Sequence, residues 1–305
     1  MANYPKTIIC LLFAVFIAGC KKDEQEIIVD NNAPYYDQIP SVKVRNYVNR
    51  LFIDLLGREP LDTEMDAETA SLQAEKLSLA SREALINKLM QDETLRDGDT
   101  SYTLAYHKRL YELSKIRFVE GVSDDGLRGL YNIARQDALS DSLSGDLAGY
   151  ELNTLRANRM LQILNIPAGL MAGTTTVANV NALLIDNEVY DIINMNTFNF
   201  VNACFDDLFF RFPTQAEFQM AYNMVEDNIP GTLFGVTAQD RPGFVQLMTN
   251  SNEAKSGTIQ WVYNTLLARN PSSAEMDLEL QRFGQDGDFA ALQKRILVTN
   301  EYANF

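Results

Sequence analysis

The residues able to do covalent or metal chemistry are few and far apart. The 305-residue chain holds one histidine, His107, and three cysteines, Cys10, Cys20 and Cys204. One His and three Cys fall short of a zinc site with the usual four N/S ligands, and no second His or Cys is spaced to join His107 on a metal. Cys204 precedes Phe205 and Leu208 in an apolar run, where it reads as a small buried hydrophobe. As a nucleophile it would need a base, and His107 is the only His to supply one. Carboxylate pairs are plentiful: Asp124-Asp125, Asp206-Asp207, and Asp286 with Asp288. Glycoside hydrolysis needs two carboxyls converging at roughly 5 to 9.5 Å with one pKa raised. A chain with 41 acids and 26 Lys+Arg generates such pairs in sequence without a cleft. Arg96-Asp97-Gly98-Asp99 and Asp286-Gly287-Asp288 look like fragments of calcium loops. They lack the twelve-residue ligand spacing and terminal Glu, and read as turns. There is no Gly-rich phosphate loop, no HExxH and no GxSxG. The net charge of -15 argues against a nucleic-acid partner, which would need clustered Lys/Arg. The expectation is a protein without catalytic residues, metal or cofactor.

The N-terminus carries an address instead. Lys6 precedes an unbroken run of eleven apolar residues, Ile8 to Ala18, followed by Gly19 and Cys20. Eleven helical residues cover about half of a ~30 Å hydrocarbon core, so the run is too short to span a membrane and fits the core of a secretory signal. Ile17-Ala18-Gly19-Cys20 resembles the bacterial lipobox. That resemblance implies cleavage before Cys20 and a diacylglyceryl thioether on it; several acyl chains on one residue make a stable anchor. Cleavage leaves Cys204 as the only unmodified cysteine, so no internal disulfide forms. Lys21-Lys22-Asp23-Glu24-Gln25-Glu26 is similar to the signal that sends lipoproteins of the Bacteroidota to the outer face of the outer membrane; a solvated charged tether is the alternative. Residues 20–40 show no helical period and read as a lipidated linker.

The elements beyond the linker are organised by a repeat. Val48 to Met65, Val201 to Phe218 and Ile259 to Met276 align without a gap. Three identities recur: Arg58, Arg211 and Arg269; Pro60, Pro213 and Pro271; Glu64, Glu217 and Glu275. Around them Phe52, Phe205 and Tyr263 match, as do Leu55, Leu208 and Leu266. In the first copy Val44, Val48, Leu51, Phe52 and Leu55 fall on one helical face. Ser41 is a suitable N-cap and Gly57 a suitable stop. The Pro ends the first helix. Thr214 with Glu217, and Ser272 with Glu275, form capping boxes that open a second. Leu61 stands where the first copy needs its cap, so the cap is expected to slip to Asp62 or Thr63, with Asp66 as the partner of Thr63. A third helix follows in each copy, over Ser81–Gln91, Asp240–Thr249 and Asp288–Val298.

Leu55-Leu56-Gly57-Arg58-Glu59-Pro60, and more loosely Leu266-Leu267-Ala268-Arg269-Asn270-Pro271, resemble the helical repeat of bacterial surface and exported proteins marked by Leu-Leu-Gly-Arg-x-Pro, similar also to the phycobilisome linker domain. The second copy has lost the Leu-Leu-Gly part. The resemblance implies a non-catalytic, interaction-prone helical module. The repeated Arg falls at the carbonyl end of the first helix, where a cation is favoured, and can pair with the Glu six residues on. The alternative is recognition, with Arg58, Arg211 and Arg269 presenting forks to carboxylates or phosphates.

Between the first copy and the others, helices are expected over Ser101–Glu120, Gly126–Leu139, Asp146–Leu164 and Val177–Ile193, with a stop at Ile166-Pro167 and a loop from Gly169 to Thr176. No convincing alternating strand appears, so the fold class is all-α. The expected organisation is a signal peptide (1–19), lipidated tether (20–40), helical unit 1 (41–99), helical middle segment (100–198), unit 2 (199–256) and unit 3 (257–305). The function expected is a non-enzymatic, outer-membrane lipoprotein held by acylated Cys20, a scaffold for an envelope partner protein or for itself. The alternative is a glycan-binding or glycan-processing accessory protein of an uptake system. Exposure of Trp261 or of Tyr102, Tyr106 and Tyr111 would favour the glycan reading.

Overall fold

Each copy of the repeat builds the helices its pattern calls for. In the computed structural model, which describes residues 39–96 and 100–305, unit 1 is α1 (Ser41–Leu56), α2 (Asp62–Ala74) and α3 (Leu79–Gln91). Then come α4 (Tyr102–Val119), α5 (Asp124–Ser144), α6 (Leu147–Leu164), α7 (Ile166–Met171), α8 (Val177–Ile185) and α9 (Glu188–Asn194). Unit 2 is α10 (Thr197–Phe209), α11 (Gln215–Asp227), a small hairpin and α12 (Arg241–Asn250). Unit 3 is α13 (Asn252–Leu267), α14 (Ser273–Asp286) and α15 (Phe289–Leu297), followed by the short α16 (Asn300–Ala303). The hairpin pairs β1 (Gly231–Leu233) antiparallel to β2 (Val236–Ala238), with Thr232 opposite Thr237. The fold is all-α. Cys20, the signal peptide and nearly all of the tether lie outside the described residues, as do Asp97, Gly98 and Asp99. No helix among the described residues is long and apolar enough to cross a membrane.

Several local expectations are corrected. α1 begins at Ser41, so Pro40 takes the cap position and no side chain caps it. Gly57 does end α1, in the left-handed region at φ 73° that Gly tolerates without a Cβ clash. The cap of α2 does not slip: Leu61 keeps the N-cap place and Glu64 still takes the Leu61 N–H at 2.8 Å. Half of a capping box holds the register without an oxygen on the cap residue. The expected Val177–Ile193 helix breaks at Asp186-Asn187, because the Asn187 side chain accepts from the N–H groups of Val189 and Tyr190 and opens α9. Ile166-Pro167 does not end in loop: Pro167 sits in the first turn of α7, where its missing N–H costs nothing. The expected 256/257 unit boundary falls inside α13.

Two apolar cores hold these elements together. One gathers α1, α3, α13 and α15 of units 1 and 3 around Leu51, Phe52, Leu55, Leu89, Tyr263 and Leu292. The other gathers unit 2 and the middle segment around Tyr190, Val201, Phe205, Leu208, Phe244 and Met248. Each such fully buried Leu or Phe contributes roughly 2 kcal/mol. Tyr47 donates to the Leu297 carbonyl at 3.1 Å and Tyr302 to Asp54 at 2.8 Å, so the end of the described chain is pinned onto its beginning. Three helices, α4, α8 and α13, serve both cores, α8 through Val177 in the first and Val180 in the second. α4 gives Tyr102, Tyr106 and Leu110 to the first and Tyr111, Phe118 and Val119 to the second, while α13 gives Ile259 and Val262 to the first and Ala254 to the second. The Phe198–Phe212 stretch is split: Phe200, Phe205 and Phe209 are core, whereas Phe198, Phe210 and Phe212 are exposed.

α13 crosses the end of α10 backbone to backbone. A Cβ on Gly257 would lie 1.8 Å from the Leu208 carbonyl oxygen, so only glycine admits this approach.

Candidate functional site

Each of the three Arg-Pro corners is closed by a charged network. In each, the first helix closes with a left-handed residue, Gly57, Phe210 or Ala268, which turns the next residue's side chain back across the Pro toward the second helix. The Arg fork then grips the N3 glutamate of that helix with two bonds. Arg58 holds Glu64 at 2.7 and 2.7 Å, Arg211 holds Glu217 at 3.0 and 2.8 Å, and Arg269 holds Glu275 at 2.9 and 2.7 Å. The same glutamate accepts the N-cap N–H, from Leu61, Thr214 or Ser272, so one carboxylate closes both the corner and the helix start. Each Arg also donates to the carbonyl just after it, of Glu59, Phe212 or Asn270. The pairing of the repeated Arg with the Glu six residues later is therefore present in all three copies.

These bonds favour the charged glutamates. Burial pushes Glu64 up, but the Arg58 fork, the Leu61 N–H and the Tyr102 hydroxyl together bring it down to about 2. The Arg211 fork draws Glu217 down to about 2 despite some burial, and Arg269 does the same to Glu275.

Units 2 and 3 add a carboxylate that motif alignment had not singled out. Arg211 uses its Nε and Nη2 on Glu253, at 2.5 and 2.9 Å, and Arg269 uses the same two atoms on Glu301, at 2.6 and 2.7 Å. Glu253 and Glu301 occupy the same place in the next helix, two residues past an N-cap, in Ser251-Asn252-Glu253 and Thr299-Asn300-Glu301. The signal was legible as a short [Ser/Thr]-Asn-Glu repeat after the third helix.

In unit 1 the matching helix is α4. Its cap, Ser101, accepts from Leu104 N at 3.2 Å, so the equivalent second position is Thr103. No second carboxylate reaches Arg58 among the described residues. Tyr102 is there instead, donating to Glu64 at 2.7 Å, with the Arg96 guanidinium 4.1 Å above its ring.

A further arginine meets the carbonyl end of each unit's first helix. Arg117 of α4 donates to the Asp207 carbonyl at 3.0 Å from Nε, and Arg50 of α1 donates to the Leu266 carbonyl. Arg109 of α4 lies against Gly57, its Cδ 3.1 Å from where a Cβ would be. Arg117 is enclosed by Phe118, Phe210 and Trp261, and that burial lowers its pKa to about 10. Beside it, burial raises Asp207 to about 6, although Tyr190 donates to it at 2.8 Å and Arg117 is near.

The other sequence candidates do not converge. His107 Nδ1 lies 2.7 Å from the Thr103 carbonyl within α4, and burial lowers its pKa. Cys204 is fully buried among apolar neighbours beside the Tyr190 hydroxyl, its thiol pushed up by burial. Asp286-Gly287-Asp288 is the turn between α14 and α15: Gly287 is left-handed, and Asp288 caps the next helix. No cluster of three or more His, Cys, Asp or Glu poised for a metal occurs among the described residues. Tyr102, Tyr106 and Tyr111 are all buried, and Trp261 is half-buried, stacked on Phe289 at 5.8 Å.

Fold and corners together define an all-α protein built from three Arg-Pro helical units, with no positive sign of a catalytic centre among the described residues. No family model, curated protein or solved structure matches the chain.

Proposed function

We propose that this chain is a non-enzymatic scaffold of the bacterial cell envelope, anchored to the outer membrane through acylated Cys20, facing the surface and docking the helical surface of an envelope partner protein. The anchor rests on Ile17-Ala18-Gly19-Cys20, and the scaffold role on the α5–α6 hairpin. That hairpin packs chiefly on itself, and no residue from 139 to 156 is buried. Between Leu127 and Met160 its buried residues are small, Ala134, Ala138 and Ala157, which bury little apolar area. Away from its base, where Leu127, Met160 and Ile163 are buried, its large apolar side chains face out: Leu143 is 81% exposed and Leu147 73%, with Ile133, Leu139, Leu152 and Leu155 also exposed. A projecting helical pair with its leucines outside lacks an apolar partner, and a second helical surface supplies one. The glycan alternative loses support because the tyrosine cluster it needs exposed is inside.

Two measurements test this. A Cys20→Ala chain is expected in the soluble fraction; retention in the membrane without acylation refutes the anchor. A photo-crosslinker replacing Leu143 in intact cells is expected to capture one stoichiometric envelope protein, and Leu139→Ser is expected to abolish that capture. Capture no better than from a crosslinker at exposed Gln215 refutes the docking role.

A further inference from the structure

The three corners share the Arg-Glu fork, and the first lacks the second carboxylate that the other two carry. Arg211 and Arg269 each hold two carboxylates, one on either side of the guanidinium. Arg58 holds only Glu64, and its Nε makes no hydrogen bond among the described residues. A cavity of about 520 Å³ opens at this corner, bounded by Arg58, Arg96, Thr63, Ser101 and Tyr102. Arg96 Nε has no partner among the described residues, although Arg96 Nη2 is held by Asp92. Among the described residues the one carboxylate on the cavity wall is Glu64, and both its oxygens are committed, Oε1 to Arg58 and Tyr102 and Oε2 to Arg58 and the Leu61 N–H. Two guanidinium groups thus face one opening, in a chain whose net charge is -15.

We propose that the Arg58 corner is a binding site for a carboxylate supplied from outside the folded helices, which takes the place that Glu253 and Glu301 fill in the other two corners. The guanidinium edge is preorganised, because Glu64 fixes the fork and the left-handed Gly57 fixes the chain direction. An incoming carboxylate meets Nε of Arg58 in the geometry already used twice in this molecule, with Arg96 as the second cation. The proposal does not depend on the scaffold reading: a free small acid and an acidic side chain of another protein present the same group.

The test follows the arginine Nε–H signals of the full-length chain by NMR during titration with two probes. One is succinate; the other is a capped peptide copying residues 298–305, which carry Glu301. Saturable shifts are expected at Arg58 and Arg96, with Arg211 and Arg269 silent because their edges are occupied. A response to succinate assigns the site to free small acids, and a response to the peptide alone assigns it to a protein-borne carboxylate. No saturable shift from either probe overturns the proposal. So does an equal shift at Arg211 and Arg269, or an equal shift with sodium chloride at matched ionic strength. Thr103→Glu restores the missing carboxylate from within. It is expected to weaken succinate or peptide binding by roughly tenfold or more and to raise Tm. Should that variant fail to fold, the residue-resolved titration of the unaltered chain still decides.

Discussion

The corners of units 2 and 3 differ from that of unit 1 most in the second carboxylate on the arginine, and the difference separates what the motif does for folding from what it leaves available. Where Glu253 and Glu301 arrive, the arginine is consumed: two carboxylates and a carbonyl take up its donors. In unit 1, where the cap register offers Thr103, the corner still closes and α2 still starts on register, so one carboxylate on the arginine is enough to turn the chain. The second carboxylate ties the third-to-fourth helix junction back to the corner. It is reinforcement in two copies and an open position in the third.

The largest expected effect comes from breaking the joint that brings Glu253 to Arg211. In Gly257→Ala the new methyl would collide with the Leu208 carbonyl, so α13 must lift from α10 and carry Glu253 with it. Urea denaturation is expected to register a loss of about 3 kcal/mol or more. A loss below ~1 kcal/mol would mean that the two helices do not need this approach.

Next in size is the contrast between the arginines themselves. Arg211→Ala leaves Glu217 and Glu253 facing one another without their shared cation, at a cost of about 2–3 kcal/mol. Arg58→Ala strands one carboxylate only, which Tyr102 and the Leu61 N–H still serve, at a cost of about 1–2 kcal/mol. Equal losses would show that the second carboxylate adds nothing to the corner. Acid sharpens the comparison. Glu64, Glu217 and Glu275 have folded pKa values near 2, below the ordinary 4.5, so their contribution is complete above about pH 4.5 and is lost as pH falls toward 2. Arg211→Ala should flatten that acid limb more than Arg58→Ala, because Glu64 keeps its other donors.

A smaller effect of opposite sign sits on the first helix of the same unit. Asp207, four residues before Arg211, has a folded pKa raised to about 6 by burial. The folded state therefore favours its protonated form, and the stability it permits is full below about pH 3.8 and declines as pH rises through 6. Asp207→Asn keeps an oxygen for the Tyr190 hydroxyl and removes the titration. It is expected to gain roughly 1–2 kcal/mol at pH 7 relative to pH 4, read from urea midpoints at the two values. A slope unchanged from the parent would place the charge elsewhere. The matching residue is Asp54 in unit 1, also raised by burial, and Thr265 in unit 3.

Much of this construction could be read from residue order. The three copies, the Arg-Pro-Glu spacing and the capping boxes at Thr214 and Ser272 rest on local rules, periodicity and cap chemistry, that act within a few residues. The all-α class follows from the same rules. What sequence did not deliver is non-local. Glu253 lies forty-two residues from Arg211 and Glu301 thirty-two from Arg269, so the recurring Asn-Glu after a Ser or Thr cap marks the two glutamates but only the fold brings them to their arginines. The break at Asn187 went unseen because the apolar spacing runs on through it, while one side-chain cap decides the matter. Gly257 looks like any helix glycine until the Leu208 carbonyl is placed beside it. The hairpin leucines at 139, 143 and 147 fit a helical pattern, but only packing shows that they face outward.

The smallest expected change turns one corner into another. Glu253→Thr gives unit 2 the residue that unit 1 carries at Thr103, leaving Arg211 with Glu217 alone. Its Nε and Nη2 lose one bidentate partner on a partly exposed surface, a cost of about 1 kcal/mol by urea denaturation. The informative readout is the arginine spectrum. Freed of Glu253, the Arg211 Nε–H should begin to shift with succinate as Arg58 does. If Arg211 stays silent while Arg58 responds, the second cation rather than the open edge makes the site. If Arg211 responds as strongly as Arg58, the open guanidinium edge is sufficient, and Thr103 alone distinguishes the receptive corner from the closed ones.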